Sequence, residues 1–152
     1  MTPAVLPLYN QPAHLIRRAQ QRFAALFNER LGHTTLTAPQ MSVLIVVLQN
    51  ENLEQKGVAA AAVLDPMTVS DIIRRLERKG LLRRDRSDRS PRGHLISLTD
   101  EGQALMKEIQ PSLDAIQEEL LCDLSQEEQR LFLTLLSRVA RVKNNFTAGL
   151  EP

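Results

Sequence analysis

Nine of the nineteen basic residues in this 152-residue chain fall between Arg74 and Arg92. They are Arg74, Arg75, Arg78, Lys79, Arg83, Arg84, Arg86, Arg89 and Arg92, set against Glu77, Asp85 and Asp88 for a local net charge of +6. The whole chain nets +1, which leaves −5 for everything else. Such a cluster does no covalent chemistry; it grips a polyanion, and nucleic acid is the commonest one. A run of this kind is also the mark of a solvated face, so the elements carrying it must decide.

Those elements read, in order, helix, helix, helix, helix, hairpin, helix, helix. Pro12 opens a segment with apolar residues at Leu15, Ile16, Ala19, Phe23, Leu26, Phe27 and Leu31, stopped by Gly32. Thr37 and Gln40 form a capping box, with Pro39 in the first turn and an apolar body from Met41 to Leu48. A short helix is expected over Leu53 to Val63, its small residues Val58-Ala-Ala-Ala-Ala-Val63 allowing close approach of another helix. Asp65-Pro66 starts a fourth helix that runs to Lys79 and stops at Gly80. Val69, Ile72, Ile73 and Leu76 make its inward stripe, leaving Thr68, Ser70, Asp71, Arg74, Arg75 and Arg78 outside.

Strands are expected over Leu81 to Asp85 and Gly93 to Leu98, joined by the turn-forming stretch 86–92. Thr99 caps a long fifth helix with a bend expected near Pro111, and Ser125 with Glu128 boxes the start of the last. Its apolar side carries Leu131, Leu135, Leu136, Val139 and Val142. The fold class is therefore mainly α with a small β-hairpin wing, a winged helix-turn-helix. In that arrangement short polar residues near the start of the fourth helix reach base edges in the major groove of double-stranded DNA. The hairpin arginines reach phosphates or the minor groove.

Other classes of function leave little trace. His14, His33 and His94 share no metal spacing with Cys122 or with acid clusters, and no phosphate loop or nucleophile elbow appears. Neither catalysis, a metal nor an organic cofactor is expected. A purely protein-binding helical module remains a rival that a salt-dependent gel shift separates, since neutralised phosphates release counterions. No apolar run reaches the ~20 residues that span a bilayer. Residues 1–12 lack a basic stretch followed by an apolar one, and a single cysteine fits a reducing compartment. The expectation is a cytoplasmic protein with no membrane partner.

From Leu36 to Gly102 the chain resembles the MarR family of bacterial transcriptional regulators. The resemblance is carried by Leu36-Thr-Ala-Pro-Gln40, Asp65-Pro-Met-Thr-Val-Ser70, Arg75-Leu-Glu-Arg-Lys-Gly-Leu81 and Leu98-Thr-Asp-Glu-Gly102 in that order and spacing. It implies a DNA-binding lobe over residues 35–99, with residues 1–34 and 100–152 forming N- and C-terminal dimerisation helices. A homodimer then binds a pseudo-palindromic operator, with recognition helices roughly 34–36 Å apart. The apolar residues Val5, Leu6, Leu8, Phe132, Leu133 and Phe146 at the two ends independently exceed what one small domain needs to bury. On this reading the DNA-contacting residues are Thr68, Ser70, Asp71, Arg74, Arg75, Arg86, Arg89 and Arg92. Asp71 either accepts from a cytosine amine or holds Arg74 or Arg75 in place. The family's wing carries an acid before paired arginines, whereas here the stretch reads Ser90-Pro91-Arg92. Arg92 thus lacks its orienting acid unless Asp88 or Asp85 substitutes.

The resemblance further implies release by a small anionic aromatic effector, in the manner of the branch that controls aromatic-acid breakdown. Repression is the family's usual mode. By position in the string Leu15-Ile-Arg-Arg18 the carboxylate anchor is Arg17, with Arg18 beside it and Tyr9, His14, Phe23 and Met41 as walls. A surface or inter-subunit ion pair for Arg17 and Arg18, a plain helical His14 and a core Phe23 remain open. Some relatives instead sense oxidants through cysteine. Cys122 lies in Leu120-Leu-Cys-Asp-Leu124, late in the fifth helix, where a small buried residue is expected.

Overall fold

In the computed structural model residues 7–50, 53–86 and 93–142 are described. A 3₁₀ turn, Leu8–Asn10, leads into α1, Pro12–Leu31, whose proline sits where a helix needs no amide donor. Only Leu26, Phe27 and Leu31 of α1 are buried, while Leu15 and Ile16 stay half exposed. Gly32 does not end the helix by a left-handed turn. It begins a second 3₁₀ turn, and the positive φ falls on Thr35, at 56°.

Helix α2, Ala38–Gln49, starts at the expected box. Gln40 N donates to Thr37 Oγ1 at 3.4 Å and Thr37 N donates to Gln40 Oε1 at 3.1 Å. Met41, Val43, Leu44 and Val47 are buried from it. The segment read as one helix from Leu53 begins instead with a short strand, β1, Leu53–Glu54, and α3 covers Gln55–Ala62. The strand exists because Leu53 and Glu54 pair with Ile96 and Leu95, far along the chain, which no local pattern announces. Helix α3 packs against α2 and α4 through Val58 and Ala59, whereas Ala60 and Ala61 are exposed. The close-approach surface is therefore shorter than the alanine run.

Helix α4, Pro66–Arg78, has the cap its sequence calls for. Thr68 N donates to Asp65 Oδ1 at 2.9 Å, and the Thr68 hydroxyl donates to the other carboxylate oxygen. Val69, Ile72, Ile73 and Leu76 are all buried. The helix closes on Gly80 at φ 72°, with Leu81 N bonded to Leu76 O and Gly80 N to Glu77 O. That is the paired-bond ending that glycine permits. Strands β2, Leu82–Arg86, and β3, His94–Leu98, then form an antiparallel hairpin, and the sheet order is β1-β3-β2.

Helix α5, Asp100–Leu120, begins at Thr99, whose Oγ1 accepts from Gly102 N at 3.0 Å, and runs on through Pro111. Met106, Ile109, Leu113 and Ile116 line its buried side. The chain divides after Ile116 into two units. The second contains α6, Gln126–Val139, opened by the Ser125–Glu128 box. No residue of α6 is buried.

These caps make stability acid-sensitive. The hydrogen bonds from the Thr68 side chain and backbone hold the Asp65 carboxyl below its usual 3.8, and those from Ser125 lower Glu128. A group whose folded pKa is depressed adds stability above its unfolded value and loses it as pH falls through the folded one. Asp65→Asn is therefore expected to flatten the fall of the thermal midpoint as pH drops through the ordinary carboxylate range and below it. An acid limb of unchanged steepness would contradict this.

Candidate nucleic-acid interface

The outer face of α4 presents Thr68, Arg74, Arg75 and Arg78 exposed, with Ser70 and Asp71 half-buried. Asp71 Oδ2 accepts from Arg75 Nε at 2.7 Å, so of the two arginines it is Arg75 that the acid engages. An exposed pair of this kind adds little stability, and its effect is to orient the guanidinium. The Thr68 hydroxyl proton is committed to Asp65. Arg74 and Arg78 have no ion pair among the described residues.

The hairpin continues this surface. Arg83 Nε donates to Asp85 Oδ2 at 3.0 Å and to Ser97 Oγ at 3.1 Å, and Ser97 Oγ donates to the same carboxylate oxygen at 3.1 Å. All three lie on one face, since Arg83 pairs with Ser97 in the antiparallel register and Asp85 is two residues on. Arg84 Nε reaches Glu77 Oε2 at 3.0 Å and so ties β2 to α4, with both side chains about one-third exposed. Arg86 is exposed opposite His94. Arg89 and Arg92 lie outside the described residues, as do Asp88, Ser90 and Pro91.

Three acids therefore offset three arginines: Asp71 with Arg75, Asp85 with Arg83, Glu77 with Arg84. The net positive field of the described part comes from Arg74, Arg78, Arg86 and Lys79. Lys79 is anchored, its Nζ donating to Thr35 O at 2.8 Å and Thr35 Oγ1 at 3.1 Å. Sequence reasoning counted these charges but missed the bracing of Arg83 and Arg84. The i, i+2 alternation of Arg83 and Asp85 along a strand was the available signal.

The six residues expected around an effector are spread over three environments. Tyr9 is 74% exposed and meets the His14 ring edge-on at 5.5 Å, and His14 Nδ1 lies 3.1 Å from Arg17 Nη2. Arg18 donates to Gln21 at 3.1 Å along the same helix. Phe23 is half-buried against Phe27, ring centroids 5.8 Å apart, and Met41 is 2% exposed within the core. Tyr9, His14 and Arg17 are thus brought together and the other three are not. A groove of about 1150 Å³ lies elsewhere, floored by Val47, Leu48, Ile96, Leu98 and Met106 and rimmed by Arg83 and Lys107. It contains none of the six. The polar spacing Gln103, Lys107, Gln110, Asp114 on α5 marks its rim in the sequence.

Cys122 is exposed, in the turn between α5 and α6, and not a small buried residue of the helix. The helix ends at Leu120, and residues 121–124 turn the chain toward the Ser125 cap. No single helix among the described residues is long and apolar enough to cross a membrane.

Residues 36–94 match the model of the MarR family, which covers the helix-turn-helix and the start of β3. Over 134 residues the chain is 31% identical to the transcriptional regulator HosA of Escherichia coli, covering 88% of this chain and 98% of that one. The chain belongs to the MarR family. It is a transcriptional regulator of MarR type, and its architecture agrees along nearly its whole length. The structure of the PcaV regulator from Streptomyces coelicolor, in complex with its natural ligand, superimposes with a TM-score of 0.84 at 33% identity, over 91% of this chain and 97% of that one. Bordetella bronchiseptica BpsR, whose DNA binding is regulated by 6-hydroxynicotinic acid, gives 0.84 at 28% identity, over 92% and 100%. These MarR-type relatives are regulators, not enzymes.

Proposed function

We propose that this MarR-type regulator represses transcription by binding a pseudo-palindromic operator as a homodimer, and that a small aromatic carboxylate releases it. The observation that carries the reading is the two-sidedness of α4. Four apolar residues anchor its inner side and uncompensated arginines project from the outer. The DNA-contacting set is Thr68, Ser70, Asp71, Arg74, Arg75, Arg86, Arg89 and Arg92. Residues 35–99 form the DNA-binding lobe, with residues 1–34 and 100–152 serving dimerisation. Helix α6 supports the dimer, since it exposes Leu131, Phe132, Leu135, Leu136 and Val139 together, an apolar stripe that a second copy would cover. A regulator of chromosomal operators works in the cytoplasm.

The effector assignment rests on Arg17 beside His14 and Tyr9, a cation with aromatic neighbours in reach, and on the aromatic acid that regulates BpsR. Release needs only that the effector favour one spacing of the DNA-binding lobes. A coupling of about 1–3 kcal/mol changes operator affinity roughly 5- to 150-fold.

A gel shift on DNA from upstream of the gene, run at rising salt, tests the core of the proposal. Affinity should fall by orders of magnitude between about 50 and about 200 mM salt; a chain that shifts no duplex at low salt is not an operator-binding protein. Calorimetry against benzoate, hydroxybenzoate, cinnamate and nicotinate tests the effector. At least one acid should bind, and Arg17→Ala should weaken it by about tenfold or more, the worth of a charge-assisted bond. Silence across the panel, or undiminished binding by the variant, removes the effector claim and leaves the DNA claim standing.

A further inference from the structure

Among the exposed large apolar side chains of the described residues, Met67 is the most exposed, at 84%. It occupies the second position of α4, between Pro66 and the capped Thr68. Single exposed apolar residues are common on protein surfaces and by themselves mean nothing. This one stands at the end of the helix whose first residues reach base edges in a helix-turn-helix. It shares a face with Ser70, Asp71 and Arg74 at helical spacing. Two of the polar side chains near it are already engaged, since Thr68 donates its hydroxyl proton to Asp65 and Asp71 holds Arg75, which leaves Ser70 and Arg74 as its polar companions on this face. Val63, in the turn before α4, is also exposed and is held at φ 53°, an unfavourable conformation for a β-branched residue.

The major groove carries one apolar group, the C5-methyl of thymine. We propose that Met67 is a specificity-determining residue that packs on thymine methyls, so that each half-site carries thymine where the start of α4 enters the groove. This rests on the operator-binding reading above and adds to it the base that is read. Burial of one methyl is worth about fourfold in affinity, and the two subunits together make roughly tenfold or more.

The test begins with selection of duplexes from a random pool by the full-length wild-type chain. Each thymine of the enriched site is then replaced by uracil, symmetrically in both half-sites, which removes the methyl and keeps every hydrogen-bonding group. One such replacement should weaken wild-type binding about tenfold, and Met67→Ala should reduce that sensitivity to less than about twofold. The thermal midpoint of the variant should stay unchanged, because the side chain packs against little. Wild-type indifference to every replacement, an enriched site without thymine, or a Met67→Ala protein that keeps the full sensitivity would each overturn the inference alone. Failure to enrich any duplex would overturn the operator-binding reading as well.

Discussion

Arg74→Ala is expected to weaken operator binding by at least thirtyfold, whereas Arg75→Ala costs several-fold less. The two arginines are neighbours on one helix, and composition cannot tell them apart. Their partners can. Arg75 Nε lies 2.7 Å from the Asp71 carboxylate, so its charge is already offset before DNA arrives. Arg74 carries no such partner among the described residues and offers its full charge and all its donors to the duplex. A guanidinium contact to a phosphate or a base edge is worth about 1–3 kcal/mol, and a dimer loses two of them.

The salt dependence separates the two kinds of contact. If Arg74 meets a phosphate, the slope of log affinity against log salt falls by about one for each subunit; a base contact leaves it nearly unchanged. Both side chains are exposed, so thermal midpoints should match the wild type and exclude misfolding as the cause. Equal losses from the two variants would mean that the Asp71 pair opens on binding. Net charge of the face would then govern affinity, in place of individual contacts.

That contrast shows where sequence reasoning stops. The helix starts were legible because a cap is a local device: Asp65 with Thr68, Thr37 with Gln40 and Ser125 with Glu128 each act over three residues. The buried stripe of α4 was legible because four apolar side chains at helical spacing leave one way to turn the helix. Pairings that depend on distant chain segments were not. Strand β1 is defined by Leu95 and Ile96, more than forty residues away, and reads locally as the first turn of α3. The bracing of Arg83 appears only once the hairpin register sets Ser97 across from it. The candidate effector residues show the same limit. Tyr9, His14 and Arg17 are sequence neighbours and meet, while Met41 belongs to another helix and lies in the core.

One position in the Leu98-Thr-Asp-Glu-Gly102 motif has a steric reason that yields a large predicted effect on stability. A Cβ on Gly102 would stand 2.2 Å from the backbone oxygen of Leu81 and 3.1 Å from Leu98 Cδ2. That oxygen has no freedom to retreat: it accepts from Thr99 N at 3.1 Å, and Leu81 N is bonded back to Leu76 at the end of α4. The Thr99 hydroxyl donates to Gly80 O at 2.5 Å in the same knot. The end of α4, the start of β2 and the start of α5 are thus joined where only glycine fits. Gly102→Ala is expected to cost about 2 kcal/mol net, since a 2.2 Å approach to a fixed backbone oxygen puts the overpacking penalty at the top of its ~1–3 kcal/mol range, against ~1 kcal/mol gained in helix propensity. For a chain of this size that lowers the thermal midpoint by roughly 4–8 °C. Operator affinity should fall too, because the displaced α5 start pushes on the junction that sets the angle between α4 and the wing. Gly32→Ala is the matched control. Its Cβ meets nothing within 4 Å, its φ is −57°, and the substitution should be neutral or slightly stabilising. Should the two alanine variants unfold at the same temperature, the packing of α5 against Leu81 is looser than these distances require, and the junction is no longer what holds α4 to the wing.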